Sequence, residues 1–199
     1  MAAPALTPVE QLVTRARPHS LVVATGFAVA GGVMLVAALV AFYLGFRNEI
    51  SDPGTNWVPR GVDIPNAQLG MAVVTAILSM ITAQWIVYAS RRRERGHTFV
   101  AIGITILFGV AWINMIFFAF NFMEVGIGTT QWSNLAYTLT GVAVAIGMVA
   151  IGFLALMSIR AFGGEDGPEG TAPLAAAVMF WHFSVLAFIA LWYVVFVVK

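Results

Sequence analysis

The last stretch of the chain, Pro173–Lys199, reads PLAAAVMFWHFSVLAFIALWYVVFVVK and decides the fold class. It has about the length that a helix needs to cross a bilayer, and no charged residue precedes its final position. The run Phe180–Phe183 (FWHF) lies near its middle, and His182 is the one titratable side chain in that run. The stretch predicts a membrane-spanning helix that contains a histidine and no carboxylate beside it.

The composition extends this prediction to the whole chain. Of its 199 residues, 60% are hydrophobic and 10% are charged, and the mean hydropathy is +0.91. A soluble domain has about 25% charged residues, so the composition indicates a multi-pass membrane protein without a sizeable soluble domain. The net charge of +1 argues against nucleic acid as a partner. The absence of cysteine excludes disulfides, thiolate metal sites and cysteine nucleophiles.

Five apolar stretches predict an all-α membrane protein with five transmembrane helices. The predicted spans are about 20–46, 69–89, 98–120, 134–159 and 173–198, within one transmembrane domain at 20–199 that follows a polar, partly helical arm at 1–19. The arm lacks an apolar segment beside its charges, so no secretory signal peptide is predicted. The loop at 47–68 and the acidic linker at 160–172 are rich in Gly and Pro.

The distribution of Lys and Arg predicts the orientation. Seven of these residues fall in the arm, the 90–97 turn and the 160–172 linker, whereas three fall in the other two loops and at the C-terminus. By the positive-inside rule, the N-terminus is predicted to be cytoplasmic and the C-terminus outside.

The predicted spans contain no Asp, Glu, Lys or Arg. Ionisable residues at membrane depth are typical of proton relays and ion pathways, so their absence argues against a pump, a proton-coupled transporter or an intramembrane protease. A small free-standing transporter or channel is disfavoured for the same reason, since charged or broken helices at the midplane are missing.

The three histidines leave two interpretations open. His19 and His97 flank spans at the predicted cytoplasmic boundary, whereas His182 lies about 13 Å into the bilayer at 1.5 Å per residue. This difference in depth makes bis-histidine ligation of one haem awkward. One interpretation is a haem- or quinone-binding membrane anchor of a respiratory complex; the other is an imidazole that hydrogen-bonds a neighbouring helix.

Other candidate side chains are polar, aromatic or basic. Asn114 stands out among the polar residues within the spans, which most often make hydrogen bonds between helices. Trp85 is an expected interfacial anchor at the end of the second span. Arg91 and Arg92 belong to a basic turn that determines topology and is suited to an anionic lipid head group. In the fourth span, small residues at helical spacing predict a packing face. They are Gly141, Ala145, Gly152 and Ala155.

Several of these stretches resemble one family. The FWHF run, in a last helix that ends with Trp192–Val195, resembles the C-terminal helix of haem–copper oxidase subunit III. The likeness covers nearly the whole chain and matches the short, five-helix bacterial form. The other matching stretches are Ala41–Tyr43, Gly54–Pro59 (GTNWVP), Thr82–Gln84, Tyr137 and Thr140–Gly141.

The chain departs from the family at its interior polar positions. Gly32 stands where the family usually has a membrane-embedded glutamate, and Ile116 stands near the place of another. Ala143 and Ile146 replace two histidines, and Val185 replaces an aspartate. The ionisable interior of the family has therefore become apolar here.

The resemblance implies a non-catalytic accessory subunit of a terminal cytochrome c oxidase in the aerobic respiratory chain of a bacterial plasma membrane. It implies that haem and copper belong to the partner subunits I and II, that this chain has no catalytic or metal-binding residue, and that it packs on subunit I and holds phospholipid. The residues that we predict for lipid binding or helix packing are Trp181, His182, Asn114, Trp85, Arg91 and Arg92.

Overall fold

The structure is a computed structural model that describes residues 8–50, 57–163 and 171–198. Residues 1–7 of the predicted arm, 51–56 of the first loop, 164–170 of the acidic linker and Lys199 lie outside the described residues.

In the described part of the chain, all regular structure is helical. The elements are α1 (Pro8–Ile50), α2 (Asn66–Arg91), α3 (Arg95–Met123), α4 (Gln131–Phe162) and α5 (Ala172–Trp192), with a π-helical turn over Tyr193–Val197. Each of the five α-helices contains a stretch long and apolar enough to cross a membrane. In lipid a helix satisfies its backbone hydrogen bonds internally, which explains why every long apolar run adopts this one structure. The predicted all-α fold with five spans is confirmed, and the orientation of the termini stays a prediction.

The helix ends follow from local sequence. The α2–α3 connection is a tight turn in which Arg93 has a φ of 58° and the N–H of Glu94 donates to the Ala89 carbonyl at 3.1 Å. Thr130 caps α4: its hydroxyl accepts from the Ser133 N–H at 3.1 Å, and the Ser133 hydroxyl accepts from the Thr130 N–H at 3.1 Å. This reciprocal pair is a capping box, and it sets where α4 begins.

Helix α5 is the centre of the bundle. It packs against α1, α2 and α4, whereas α3 packs mainly along α2 and also contacts α4. Helices α1 and α2 each pack on α5 without substantial packing on each other among the described residues. One side of α5 therefore stays open between them, and this side includes Leu186 and Tyr193, which are both more than half exposed.

Most of the predicted packing face of α4 does not pack against other described residues. Gly141, Ala145 and Gly152 are exposed and Ala155 is half-buried, and a Cβ added to either glycine would meet no atom of another helix within 4 Å. The glycine that α4 presents to the interior is Gly147, which lies against Trp112 of α3. The prediction chose the wrong side of the helix because small residues occur on both sides and the whole span is apolar.

Candidate functional site

The interior of the bundle is built on Trp181, near the middle of α5. Its indole N–H donates to the Ser79 hydroxyl of α2 at 3.0 Å, and that hydroxyl donates in turn to the Ala76 carbonyl at 2.6 Å. The far edge of the ring covers Gly109 of α3, where an added Cβ would lie 2.5 Å from the ring. Trp181 thus joins α5 to α2 by a hydrogen bond and to α3 by close packing.

A second tryptophan, Trp112 of α3, extends this interior. Its ring stacks on Phe188 of α5 with centroids 4.5 Å apart, and its other edge covers Gly147 of α4, where a Cβ would lie 2.6 Å away. The Trp112 N–H is buried and has no hydrogen-bond partner. Because this donor is unpaired, the contribution of Trp112 is close packing rather than a polar interaction.

Phe183 repeats this pattern toward α1. A Cβ at Gly32 of α1 would overlap the Phe183 ring. The Phe183 ring therefore occupies the space that a side chain at position 32 would fill. Phe183, Trp181 and Trp112 each lie over a glycine of a neighbouring helix, which lets helices approach closely in lipid.

A smaller polar cluster lies at the opposite end of the bundle from the basic turn. The Trp57 indole N–H donates to the Tyr43 hydroxyl at 2.8 Å, and that hydroxyl lies 3.5 Å from the Val195 carbonyl in the π-helical turn. The two rings meet edge to face at 5.8 Å. Tyr43 is fully buried, so the cluster joins the end of α1, the following loop and the end of α5.

His182 lies half-buried toward the open side of α5. Its Nδ1 is 2.7 Å from the Val178 carbonyl, one turn earlier in the same helix. Since a carbonyl only accepts, Nδ1 carries the proton and Nε2 has no hydrogen on it when the ring is neutral. The predicted partner on a neighbouring helix is wrong: the imidazole bonds its own backbone.

The basic turn lies at the end of α2 and the start of α3. Arg91 and Arg92 are exposed, and the Arg92 guanidinium lies 4.4 Å above the Tyr88 ring. Trp85 is half-buried, with its ring 6.1 Å from that of His97. These groups form an exposed aromatic and cationic band at one end of the bundle.

Asn114 of α3 differs from the bonded threonines of the spans. The hydroxyls of Thr82 and Thr105 bond each other between α2 and α3 at 2.8 Å, and Thr138 bonds the carbonyl of Asn134 in its own helix. Asn114 is exposed, and its amide has no hydrogen-bond partner among the described residues. None of the residues that the structure describes therefore gives Asn114 its predicted role as a link between helices.

The described residues do not assemble a metal site. No three His, Asp or Glu side chains in the described ranges converge on a point where a metal ion could bind. His97 lies near the start of α3 and contacts Glu94 at 2.9 Å, whereas His182 lies about 15 Å along α5 from Ala172. The two imidazoles therefore lie at different positions along their helices, one near the start of α3 and the other near the middle of α5.

Two glycines that organise the interior, Gly109 and Gly147, are absent from the predicted residues. Ser79 is one of the polar residues within the spans, for which hydrogen bonds between helices are predicted, and it makes one with Trp181. A usable signal was present, since tryptophan favours the membrane interfaces and a tryptophan near mid-span needs both room and a hydrogen-bond acceptor. No protein-family model matches the chain, and a comparison with curated proteins finds no match either. The subunit III resemblance therefore stays a prediction.

Proposed function

We propose that this chain is a non-catalytic accessory subunit of a haem–copper terminal oxidase, similar to subunit III of cytochrome c oxidases. The complex reduces oxygen to water, with haem and copper held by subunits I and II. This chain packs on subunit I and binds phospholipid. It spans a bacterial plasma membrane five times, with its N-terminus in the cytoplasm as the Lys and Arg distribution favours.

The observation that carries the proposal is the meeting of three separate stretches on which the resemblance rests. Tyr43 ends the matching part of α1, Trp57 lies in the matching loop, and Val195 lies in the matching end of the last helix. The Tyr43 hydroxyl contacts both of the others. This contact supports the proposal, because stretches that are characteristic of one fold are expected to lie together in it.

The interior supports a structural role. The bundle is held by aromatic rings over glycines and by hydroxyl hydrogen bonds such as Ser79–Trp181. The spans carry no Asp, Glu, Lys or Arg that could relay protons. A subunit of this kind contributes packing surface to a complex whose chemistry takes place elsewhere.

Two features support lipid binding. The open side of α5, between α1 and α2, exposes Leu186 and Tyr193 and offers an apolar surface to acyl chains. The exposed Arg91 and Arg92 lie at the end of α2, where a cationic group attracts an anionic head group. The apolar side of α5 suits the acyl chains of a phospholipid and the arginines suit its head group, and neither feature requires a charge in the interior of the bundle.

Co-purification tests this proposal. The chain would be tagged, expressed in its own host, extracted in a mild detergent and purified, with mass spectrometry of the partners and an optical spectrum of the eluate. We expect a large, many-helix subunit with haem and copper, and oxygen consumption by the complex. Isolation of the chain without such a partner would contradict the proposal.

The same sample tests the alternative, a haem- or quinone-binding anchor. His182→Ala is the informative variant, with His97→Ala as the matched control. An anchor that uses His182 would lose a haem band in the first variant and keep it in the second. An accessory subunit would show the same haem content per complex in both variants, because the haem belongs to its partners.

A further inference from the structure

Asn114 lies in the outward face of α3, within a helix long and apolar enough to cross a membrane. Helix α3 runs from Arg95 to Met123, so Asn114 is about 13 Å from its C-terminal end and about 7 Å from its midpoint. The apolar core of a bilayer is about 30 Å thick, which puts this amide within it. An amide that has no partner in such surroundings is unfavourable, and a second helix is the usual way to satisfy it.

The residues around Asn114 form a regular exposed stripe on α3. They alternate at spacings of four and three residues, and none is charged. The stripe consists of Gly103, Leu107, Val110, Asn114, Phe117 and Asn121, all exposed. The 3–4 spacing is that of the contact seam between two helices that cross at a small angle.

We propose that this stripe is the contact surface of a homodimer, in which α3 of one copy packs in parallel against α3 of a second copy. Copies in one membrane share one orientation, so the twofold axis lies along the membrane normal and each residue of the stripe meets its own copy at equal depth. An amide both donates and accepts, so Asn114 satisfies Asn114 of the second copy with a reciprocal pair of hydrogen bonds.

The composition of the stripe suits a second copy. Asn114 and Asn121 occupy equivalent positions one heptad apart, and an asparagine at such a position favours a two-stranded, in-register pair. Gly103 has no atom within 4 Å of an added Cβ, so the partner backbone can approach closely there. The absence of charge means that no like charges meet across the axis. This proposal is independent of the oxidase assignment.

Disulfide cross-linking in membranes tests the dimer, because the chain contains no cysteine of its own. Val110→Cys places a thiol in the stripe, and Val149→Cys places one on α4 as a matched control, since Val110 is 52% exposed and Val149 is 60% exposed. We expect a disulfide-linked dimer from the first variant and only collisional background from the second. The dimer band should persist when the membranes are diluted with lipid.

The amide is tested in the Val110→Cys background. Asn114→Leu should lower the dimer association constant about three- to tenfold, the effect of losing hydrogen bonds between helices in lipid. Asn114→Gln keeps the amide and should retain most of the dimer. Thr138→Val on α4 removes an exposed hydroxyl that already bonds its own helix and should have no effect. All of these positions are exposed, so the folded monomer should persist, which circular dichroism would verify.

Three results would overturn the proposal. The first is cross-linking of Val110→Cys no stronger than that of Val149→Cys. The second is a dimer that forms equally well with Asn114→Leu. The third is cross-linking of Val110→Cys exclusively to a different protein, which would assign the stripe to a heteromeric partner.

Discussion

Helices α1 and α5 are both long, apolar and free of charge within the membrane, yet they occupy opposite places in the bundle. In the most apolar window of α1, 11% of the residues are buried inside the chain, compared with 61% in α5. Lipid tails are as apolar as a protein interior, so hydrophobicity alone does not decide which helix is central. The difference lies in the contacts: α5 places large rings against glycines and hydroxyls of other helices, and α1 mostly presents its side chains outward.

The largest expected effect comes from removing the same side chain from each helix. Phe188 of α5 is 1% exposed and Phe27 of α1 is 75% exposed. Phe188→Ala leaves a cavity beside Trp112 and should lower the free energy of unfolding by about 3 kcal/mol, the lower end of the range for soluble proteins, because lipid rather than water receives the lost surface. Thermal unfolding in a fixed detergent, followed by circular dichroism, measures the shift.

The matched variant Phe27→Ala should change the free energy of unfolding by less than about 0.5 kcal/mol, as is usual at exposed positions. If both variants lost the same free energy of unfolding, the Phe27 side chain of α1 would be as well packed as Phe188 of α5, through contacts with another molecule.

Neighbouring glycines of α1 sharpen the comparison. Gly32 faces the Phe183 ring, whereas Gly31 has open space around it. Gly32→Leu should overpack the α1–α5 contact and lower the free energy of unfolding by about 2 kcal/mol, or about 4–8 °C in Tm for a chain of this size. Gly31→Leu should leave Tm nearly unchanged. A similar loss of Tm in both variants would indicate that the helix backbone, not the Phe183 contact, requires glycine.

The sequence predicts the helices well and their rotations poorly. Long uncharged runs identify the five spans because bilayer thickness and backbone hydrogen bonding leave helices as the available structure. Which side of each helix faces inward depends on particular pairs, such as Trp181 with Gly109. The outward faces are also apolar, so no change of polarity around a helix distinguishes its inward side from its outward side. This is why Gly141 and Gly152 were chosen instead of Gly147.

The candidate residues show the same limit. Residue type at membrane depth identifies Trp181, His182 and Asn114 as candidates, and the structure gives them three different environments. Trp181 is buried and hydrogen-bonded to another helix, whereas His182 is half-buried and bonded to its own helix. Asn114 is exposed and has no partner among the described residues. Residue type indicates that a polar group in a membrane needs a partner. Where that partner lies depends on helix rotation, which the apolar pattern does not reveal.

A smaller effect is expected from the polar contact of α5. Ser79→Ala removes the acceptor of the Trp181 N–H and leaves that buried donor unpaired, which should cost about 1–2 kcal/mol of unfolding free energy. Thr75→Val is the control on the same helix, since its hydroxyl only bonds the Met71 carbonyl one turn earlier. Thermal unfolding would separate the two variants. A Tm for Ser79→Ala equal to that of Thr75→Val would mean that ring packing alone holds Trp181.

The smallest effect is expected where α1 meets the end of α5. Tyr43→Phe removes the hydroxyl that accepts from Trp57 and lies near Val195. Trp57 is half-buried at the end of the bundle, where water can replace the lost acceptor, so the free energy of unfolding should fall by only about 0.5–1 kcal/mol. The exposed Tyr193 provides the control Tyr193→Phe.

Hydrogen exchange is the sharper measurement for this variant, because its effect is local. Tyr43→Phe should speed amide exchange in the loop around Trp57 and in the π-helical turn, while the middle of α5 around Trp181 stays protected. Faster exchange throughout α5 would show that the terminal cluster supports the whole central helix. The contrast between α1 and α5 would then depend on this one hydroxyl rather than on the rings over glycines along the length of α5.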